Sequence, residues 1–285
     1  MHRHPTRRDI LKLGGTAAAA ALFVPALPVP AGATWKRIPT GTQLWCVRKQ
    51  LVTDIPGTLN ALSAIGYEGV ELENAFGKPG AEWRKYLDAA KVKACGFHHT
   101  LDELQGDKLA ATIEFNLGVG NRNLIIRSLA PEVYKSGDLL KKTADAVNEA
   151  AEKVKPHTLR VGYHNHFADF NRIDGEYWWN LFADRTTKDV ILQLDTGNAS
   201  ELTGVSLVDL IRRNAARTVT MHVKPYSKKN PDAYLGADEL DWPGIMTAVE
   251  SVGGVEWYII EYEREGVPPL ESLKANLESF KKLRS

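Results

Sequence analysis

Cysteine is scarce in this chain: Cys46 and Cys95 are the only two among 285 residues. They fall on the first and third strands expected below, which are not neighbours in a parallel sheet. Strands two places apart are separated by about 9–10 Å, beyond the ~7 Å Cα reach of a disulfide. Both are therefore read as packed free thiols. An excess of charge of either sign is also missing, with 36 Lys and Arg against 35 Asp and Glu, so nothing points to a polyanion and no nucleic-acid partner is expected. Long apolar runs are lacking as well. The run Leu13–Val24 has about 12 residues, short of the ~20 that a membrane span requires, and no stable span is expected in the mature chain.

The N-terminus differs in kind from the rest. Thr6–Arg7–Arg8–Asp9–Ile10–Leu11–Lys12 places paired arginines before the short apolar run, and a Pro-rich stretch then leads to Ala31–Gly32–Ala33. That order is the layout of an export signal with a twin-arginine n-region. Residues 1–33 are read as the signal, cleaved after Ala33, and 34–285 as one domain, periplasmic or extracellular.

From Thr42 onward, short apolar runs alternate eight times with longer amphipathic segments. Strands are expected at Gln43–Val47, Gly69–Glu73, Ala94–His99, Leu124–Arg127, Arg160–Asn165, Val190–Asp195, Val219–Lys224 and Glu256–Glu261. Between and after them, helices are expected at Ile55–Ile65, Ala81–Lys93, Asp102–Leu117, about Pro131 to Val154, Glu176–Ala183, Leu207–Asn214, Trp242–Val252 and about Pro269 to Leu283. Gly66, Gly96 and Gly253 sit after a helix or before a strand, where a C-cap glycine belongs. Eight βα repeats in one stretch of this length predict a closed (β/α)₈ TIM barrel. A doubly wound sheet often opens with a Gly-rich first turn, and here Arg48–Lys49–Gln50 follows the first strand.

Active sites of such barrels lie at the C-terminal ends of the strands, and ionisable residues crowd those ends. Strand two carries Glu71 and Glu73, strand three His98 and His99, strand five His164 and His166. Strand six ends in Asp195, strand seven in His222 and Lys224, strand eight in Glu261 and Glu263. Residues two apart share a face of a strand, so His164 and His166 share one. Leaving so many groups unpaired in a buried mouth would be costly, and a divalent metal resolves it. Mixed imidazole and carboxylate donors suit Mn, Co, Fe or Zn better than Ca. Either His164 or His166 supplies the strand-five ligand on this reading.

The motifs Gly66–Tyr67–Glu68–Gly69–Val70–Glu71–Leu72, Tyr163–His164–Asn165–His166, Leu194–Asp195–Thr196–Gly197–Asn198, His222–Val223–Lys224 and Ile260–Glu261 occur in order on the right strands, with Gln43–Trp45–Arg48 and His99–Leu104 before them. The chain from about Gly41 onward resembles the xylose isomerase-like barrel superfamily of sugar isomerases and epimerases, which also includes an endonuclease type. The resemblance implies metal ligation by Asp195, His222 and Glu261. Where the family has a strand-five glutamate this chain has His164, as in the Tyr-His-His-His pattern of inosose-dehydratase-like members.

The expected activity is that of a metal-dependent isomerase or epimerase (Mn, Co, Mg, Fe or Zn) working through an enediolate on a non-phosphorylated sugar or keto-sugar. A lyase or dehydratase is the alternative, and a non-catalytic carbohydrate-binding barrel a third reading. Glu261, His166, His99 and Lys224 are the acid–base candidates. Trp45, Arg48, Glu71, Tyr163, Asn165 and Trp242 are the substrate-binding candidates. Neither the oligomeric state nor the sugar is specified at this level, and a homo-oligomer is compatible with it.

Overall fold

The computed structural model describes residues 37–201, 204–264 and 266–284. The export segment over 1–33 lies outside the described residues. Eight strands form the barrel: β1 Thr40–Gln43, β2 Gly69–Leu72, β3 Lys93–His99, β4 Asn123–Ile126, β5 Arg160–His164, β6 Ile191–Asp195, β7 Thr220–Val223 and β8 Trp257–Ile260. Each pairs in parallel with the next, and β8 returns to β1 through Thr40↔Tyr258 and Gly41↔Ile259, which closes the sheet. Eight principal helices alternate with them: α1 Ile55–Ile65, α2 Gly80–Ala90, α3 Lys108–Val119, α4 Gly137–Val154, α5 Trp178–Arg185, α6 Leu207–Arg213, α7 Trp242–Val252 and α8 Pro269–Leu283. The fold is a single (β/α)₈ barrel, as the eightfold alternation predicts. Among the described residues no helix is long and apolar enough to cross a membrane.

Local chemistry sets these boundaries. The Asp54 carboxylate accepts the Gly57 N–H at 2.8 Å and starts α1. Gly66, at φ +110°, ends that helix where a side chain would be strained. α4 buries Leu140, Ala144, Val147, Ala151 and Val154, a spacing of three and four that lays one stripe against the sheet. Inside the barrel, Ile125, Ile191 and Val219 form a small apolar cluster apart from the main core. A Cβ on Gly162 would lie 2.6 Å from Ile125 Cδ1 and 2.8 Å from Ile191 Cβ. Only glycine fits there, so β5 passes close to this plug.

Several boundaries differ from the sequence expectation. The first strand ends at Gln43, and Leu44–Val47 forms a 3₁₀ turn that buries Leu44, Cys46 and Val47 while leaving Trp45 exposed. The Gln43 side chain accepts the Trp45 N–H at 3.2 Å, which turns the chain there. Arg172–Ile173 and Glu176–Tyr177 make a two-stranded antiparallel hairpin ahead of α5. Helix α4 begins at Gly137, capped by Ser136, and Val133–Lys135 before it is a 3₁₀ turn. Gly253 caps α7, whereas Gly96 lies inside β3. Cys46 and Cys95 are both buried free thiols.

Candidate metal centre

The inward faces of β5 and β6 follow from the contact of Gly162 with Ile125 and Ile191. Gly162 faces inward, so His164 does too and Tyr163 faces the helix layer. Likewise Ile191, Gln193 and Asp195 share the inward face of β6. The register then aligns the polar ends, with Gln43 opposite Glu71, Glu71 opposite Gly96, His164 opposite Gln193, and Asp195 opposite His222.

Two layers result. The lower one is centred on Glu71, which is fully buried. Its carboxylate accepts from Gln43 Nε2 at 2.8 Å, Gln193 Nε2 at 2.7 Å and His222 Nε2 at 2.6 Å, and lies 3.1 Å from His98 Nε2. A Cβ at position 96 would come within 2.3 Å of Glu71 Oε1. The glycine in β3 therefore makes room for this carboxylate.

The upper layer comprises His164, Asp195, His222 and Glu261, whose donor atoms lie within 4.8 Å of one another. His222 Nδ1 is 2.9 Å from Glu261 Oε2 and 3.6 Å from Asp195 Oδ2. His164 Nδ1 donates to Gln193 Oε1 at 2.9 Å. Asp195 Oδ1 caps the short helix Thr196–Ser200 through the Asn198 N–H at 2.7 Å, and Asp195 Oδ2 is buried with no hydrogen-bond partner. Buried polar atoms are normally satisfied, so this oxygen lacks an electrophile.

Charge follows the same arrangement. Burial would raise the Glu71 carboxyl, but His98 and His222 outweigh it and hold it well below the carboxylate range. His98 is pushed up to about 10, Glu71 and then Glu73 overcoming burial. His222 is held far above its ordinary value by Glu71, Asp195 and Glu261 against burial. His164 moves the other way, its imidazole kept neutral by burial and by the neighbouring His222 and His98. Burial also favours the charge-free Glu261, but Lys224 at 2.8 Å and His222 keep it ionised.

These residues fit a divalent cation. A histidine ligand usually donates its other ring N–H to a carboxylate or carbonyl. Glu71 plays that part for His222, and Gln193 for His164. The orphaned Asp195 oxygen and the ionised Glu261 supply hard donors beside the neutral His164, and a cation would take the place of the His222 proton that these carboxylates hold.

Above the cluster opens a cavity of about 310 Å³ lined by Trp45, Glu73, Arg127, His166, Lys224 and Glu263, among others. Trp45 is 42% exposed, and the Arg48 guanidinium lies over its ring at 4.1 Å. Each basic side chain around it already faces a carboxylate: Arg48 to Glu263 at 2.6 Å, Lys224 to Glu261 at 2.8 Å, Arg127 to Glu73 at 3.7 Å. Burial keeps His166 below its ordinary imidazole value.

Five of the sequence-derived candidates are placed away from this cavity. His99 points outward, 3.1 Å from Asn116 of α3 and against Phe97, because it shares a face with Phe97 and not with His98. Tyr163 is buried under α5, donating to Asp169 at 2.6 Å. Trp242 starts α7 with its indole N–H on Asp238 at 2.7 Å. Asn165 binds the peptide of Asp195 from both sides, at 2.7 and 3.2 Å, and so positions that carboxylate. Glu71 lies in the layer beneath. Conversely, His98, read only as an ionisable strand end, and Gln43, Gln193 and Asn198, given no role from the sequence, belong to the site. Gln193 was within reach, standing two residues before Asp195.

The protein is thus a closed (β/α)₈ barrel with a buried imidazole–carboxylate cluster at its C-terminal mouth. The chain belongs to the family described as xylose isomerase-like TIM barrel, whose model matches residues 59–283. Among solved structures it is similar to a sugar phosphate isomerase/epimerase from Parabacteroides distasonis, at 18% identity and TM-score 0.74, covering 89% of this chain and 98% of that one. It is also similar to an L-ribulose 3-epimerase, at 14% identity and TM-score 0.64, covering 87% and 96%. A 3-keto-D-glucoside 4-epimerase from E. coli has 14% identity and TM-score 0.61, with 87% and 99% covered. At these identities the likeness is one of fold. No curated protein sequence matches the chain.

Proposed function

We propose that the protein is a divalent-metal-dependent isomerase or epimerase of a non-phosphorylated keto-sugar. The observation that carries this is the set His164, Asp195, His222 and Glu261, buried together on four consecutive strands with one Asp195 oxygen unpaired. These four residues would hold the metal, whose Lewis acidity would acidify the C–H beside a bound carbonyl and stabilise the enediolate. The chain's own side chains do the rest. Glu261, kept ionised by Lys224, and His166, kept neutral by burial, are the groups able to take and return a proton at the substrate carbon. Lys224, whose ammonium is held far above its ordinary value, stays protonated and donates to a substrate oxygen. Trp45 offers a flat face to the sugar ring.

The absence of phosphate recognition is supported by the pairing of Arg48, Lys224 and Arg127 with carboxylates, which leaves no cation of this set for a dianion. The names of the similar epimerases point the same way on reaction class. The paired arginines of residues 7 and 8 support export by the twin-arginine route to the periplasm or exterior. A second reading, a lyase on the same keto-sugars, is favoured by His164. With an imidazole in the strand-five position, Glu261 is the one carboxylate of an epimerase's acid–base pair that remains.

Incubation of the metal-loaded protein with keto-sugars in D₂O decides between them. Deuterium uptake with an isomeric product of otherwise unchanged composition supports the first reading. An unsaturated or cleaved product establishes the lyase. Absence of exchange with every substrate rejects both.

A further inference from the structure

A second cavity, of about 330 Å³, lies beside the one above the metal cluster. Trp45 and Glu73 line both cavities, and Arg48, stacked on Trp45, lines the second. The second is as large as the first, yet its chemistry is different. Leu44, Leu51, Val52 and Phe76 supply an apolar wall, beside Trp45 and the polar Arg48, Lys49, Glu73 and Asn74. Few large apolar side chains are strongly exposed among the described residues, namely Trp45, Val52, Leu117 and Phe167, and two of these four meet here. Exposed apolar side chains gathered in a concave site are one mark of a ligand groove.

The wall is also held in a costly conformation. Phe76 has φ +50°, a left-handed backbone rare for a bulky residue. Its N–H donates to Asn74 Oδ1 at 2.6 Å, and Ala75 O accepts the Trp83 indole N–H at 2.9 Å. The loop is thereby tied to α2, and the ring of Phe76 sits 6.4 Å from Trp83. Strain of this kind persists only where the surroundings enforce it, and it gathers at ligand sites.

We infer that this cavity is an aglycone subsite, so that the substrate is a glycoside whose sugar sits over the metal cluster and whose flat apolar aglycone lies between Trp45, Val52 and Phe76. The inference rests on the proposed sugar chemistry for the first cavity, and it adds the class of substrate. A cavity of roughly 300 Å³ is at the lower end for small-ligand pockets, so one sugar ring fills the first and leaves the second for its substituent. Trp45 is the shared wall that places the glycosidic linkage between them.

The test is calorimetric titration of the full chain, loaded with Mn²⁺, with matched phenyl and methyl glycosides of glucose, galactose and xylose, each in hydroxyl and 3-keto form. The phenyl member of at least one pair is expected to bind ten-fold or more tighter than its methyl partner. That ratio should fall towards one in Val52→Asp and in Phe76→Ala. Val52 is 74% exposed, so its replacement carries little folding risk. Equal affinity for phenyl and methyl partners, or no binding of any glycoside, overturns the subsite. So does a ratio that both variants leave unchanged. If disaccharides show the preference and phenyl glycosides do not, a second sugar occupies the cavity and the apolar aglycone is rejected. Deuterium exchange on unsubstituted keto-sugars reads out the first cavity separately. Exchange with a flat phenyl-to-methyl ratio overturns the subsite alone, and a phenyl preference without exchange overturns the isomerase reading alone.

Discussion

At the N-terminal end of the barrel, Arg217 is 2% exposed, and its guanidinium donates to Val190 O at 3.0 Å, Ala183 O at 2.7 Å and Thr186 Oγ1 at 2.8 Å. Nearby, Arg160 grips Glu256 with two bonds of 2.8 and 2.7 Å and reaches Asn123 at 3.0 Å. Charges there meet their partners within the protein. At the C-terminal mouth, the carboxylates of Glu71, Asp195 and Glu261 and several imidazoles are buried against one another, and an Asp195 oxygen has no hydrogen-bond partner. The first arrangement holds strands together. The second keeps unsatisfied donors aimed at a ligand, in line with the division of such barrels into a stability face and an active face.

That contrast can be broken most sharply at the mouth. Glu261→Gln is expected to lower kcat/KM by about 10³-fold, a typical cost at a residue with the proposed metal and proton roles, and to weaken metal binding and lower the melting temperature of the metal-free protein, since Lys224 and His222 lose their buried partner. Steady-state kinetics, metal analysis and a thermal melt check all three. Arg217→Met should differ in leaving activity intact. It leaves two buried carbonyls and a hydroxyl without their donor, and the loss should be about 3 kcal/mol. That amounts to a drop in melting temperature of roughly 6–12 °C, with kcat/KM of the folded protein retained. Equal effects of both substitutions on kcat/KM would dissolve the distinction.

Ligand linkage gives an intermediate effect. Adding Mn²⁺ at about a hundred times its Kd should stabilise the protein by about 2.7 kcal/mol, and His164→Ala should abolish most of that shift. Absence of a metal-dependent melt would remove the argument from the unpaired Asp195 oxygen.

A pH effect sharpens the mouth further. Burial pushes the Asp169 carboxyl up to about 7, against the hydrogen bonds from Tyr163 and the His166 N–H. The folded state therefore binds this proton more tightly than the unfolded one. Its contribution is fully present below about pH 4 and is lost as pH rises through 7, by at most ~1.4 kcal/mol per unit. Denaturation curves of Asp169→Asn between pH 4 and 7 should lack that component. The smallest expected change is Arg160→Ala, where a half-exposed ion pair contributes about 1 kcal/mol or less.

The barrel was legible because an eightfold alternation of short apolar runs and amphipathic segments has few other solutions. Three helices, α1, α7 and α8, start and stop where their caps and prolines indicate. The cluster was legible because Asp195, His222 and Glu261 each end an apolar run. Which residue of an adjacent pair points inward was not. His98 and His99 look equivalent along the chain, and the helix-facing packing of Phe97 decides between them. Leu44–Val47 reads as a strand until Gln43 turns inward to Glu71 and the chain behind it winds into a 3₁₀ turn.

Periodicity and local capping are properties of neighbouring residues, so the number and order of the elements and the kinds of donor at the strand ends can be read along the chain. Only the closed barrel decided the phase of each strand. Gly162 against Ile125 and Ile191 orients β5, and a register irregularity between Val70 and Glu71 adjusts β2. Glu71 meets His222 across 151 positions of chain, a distance over which no local pattern carries information.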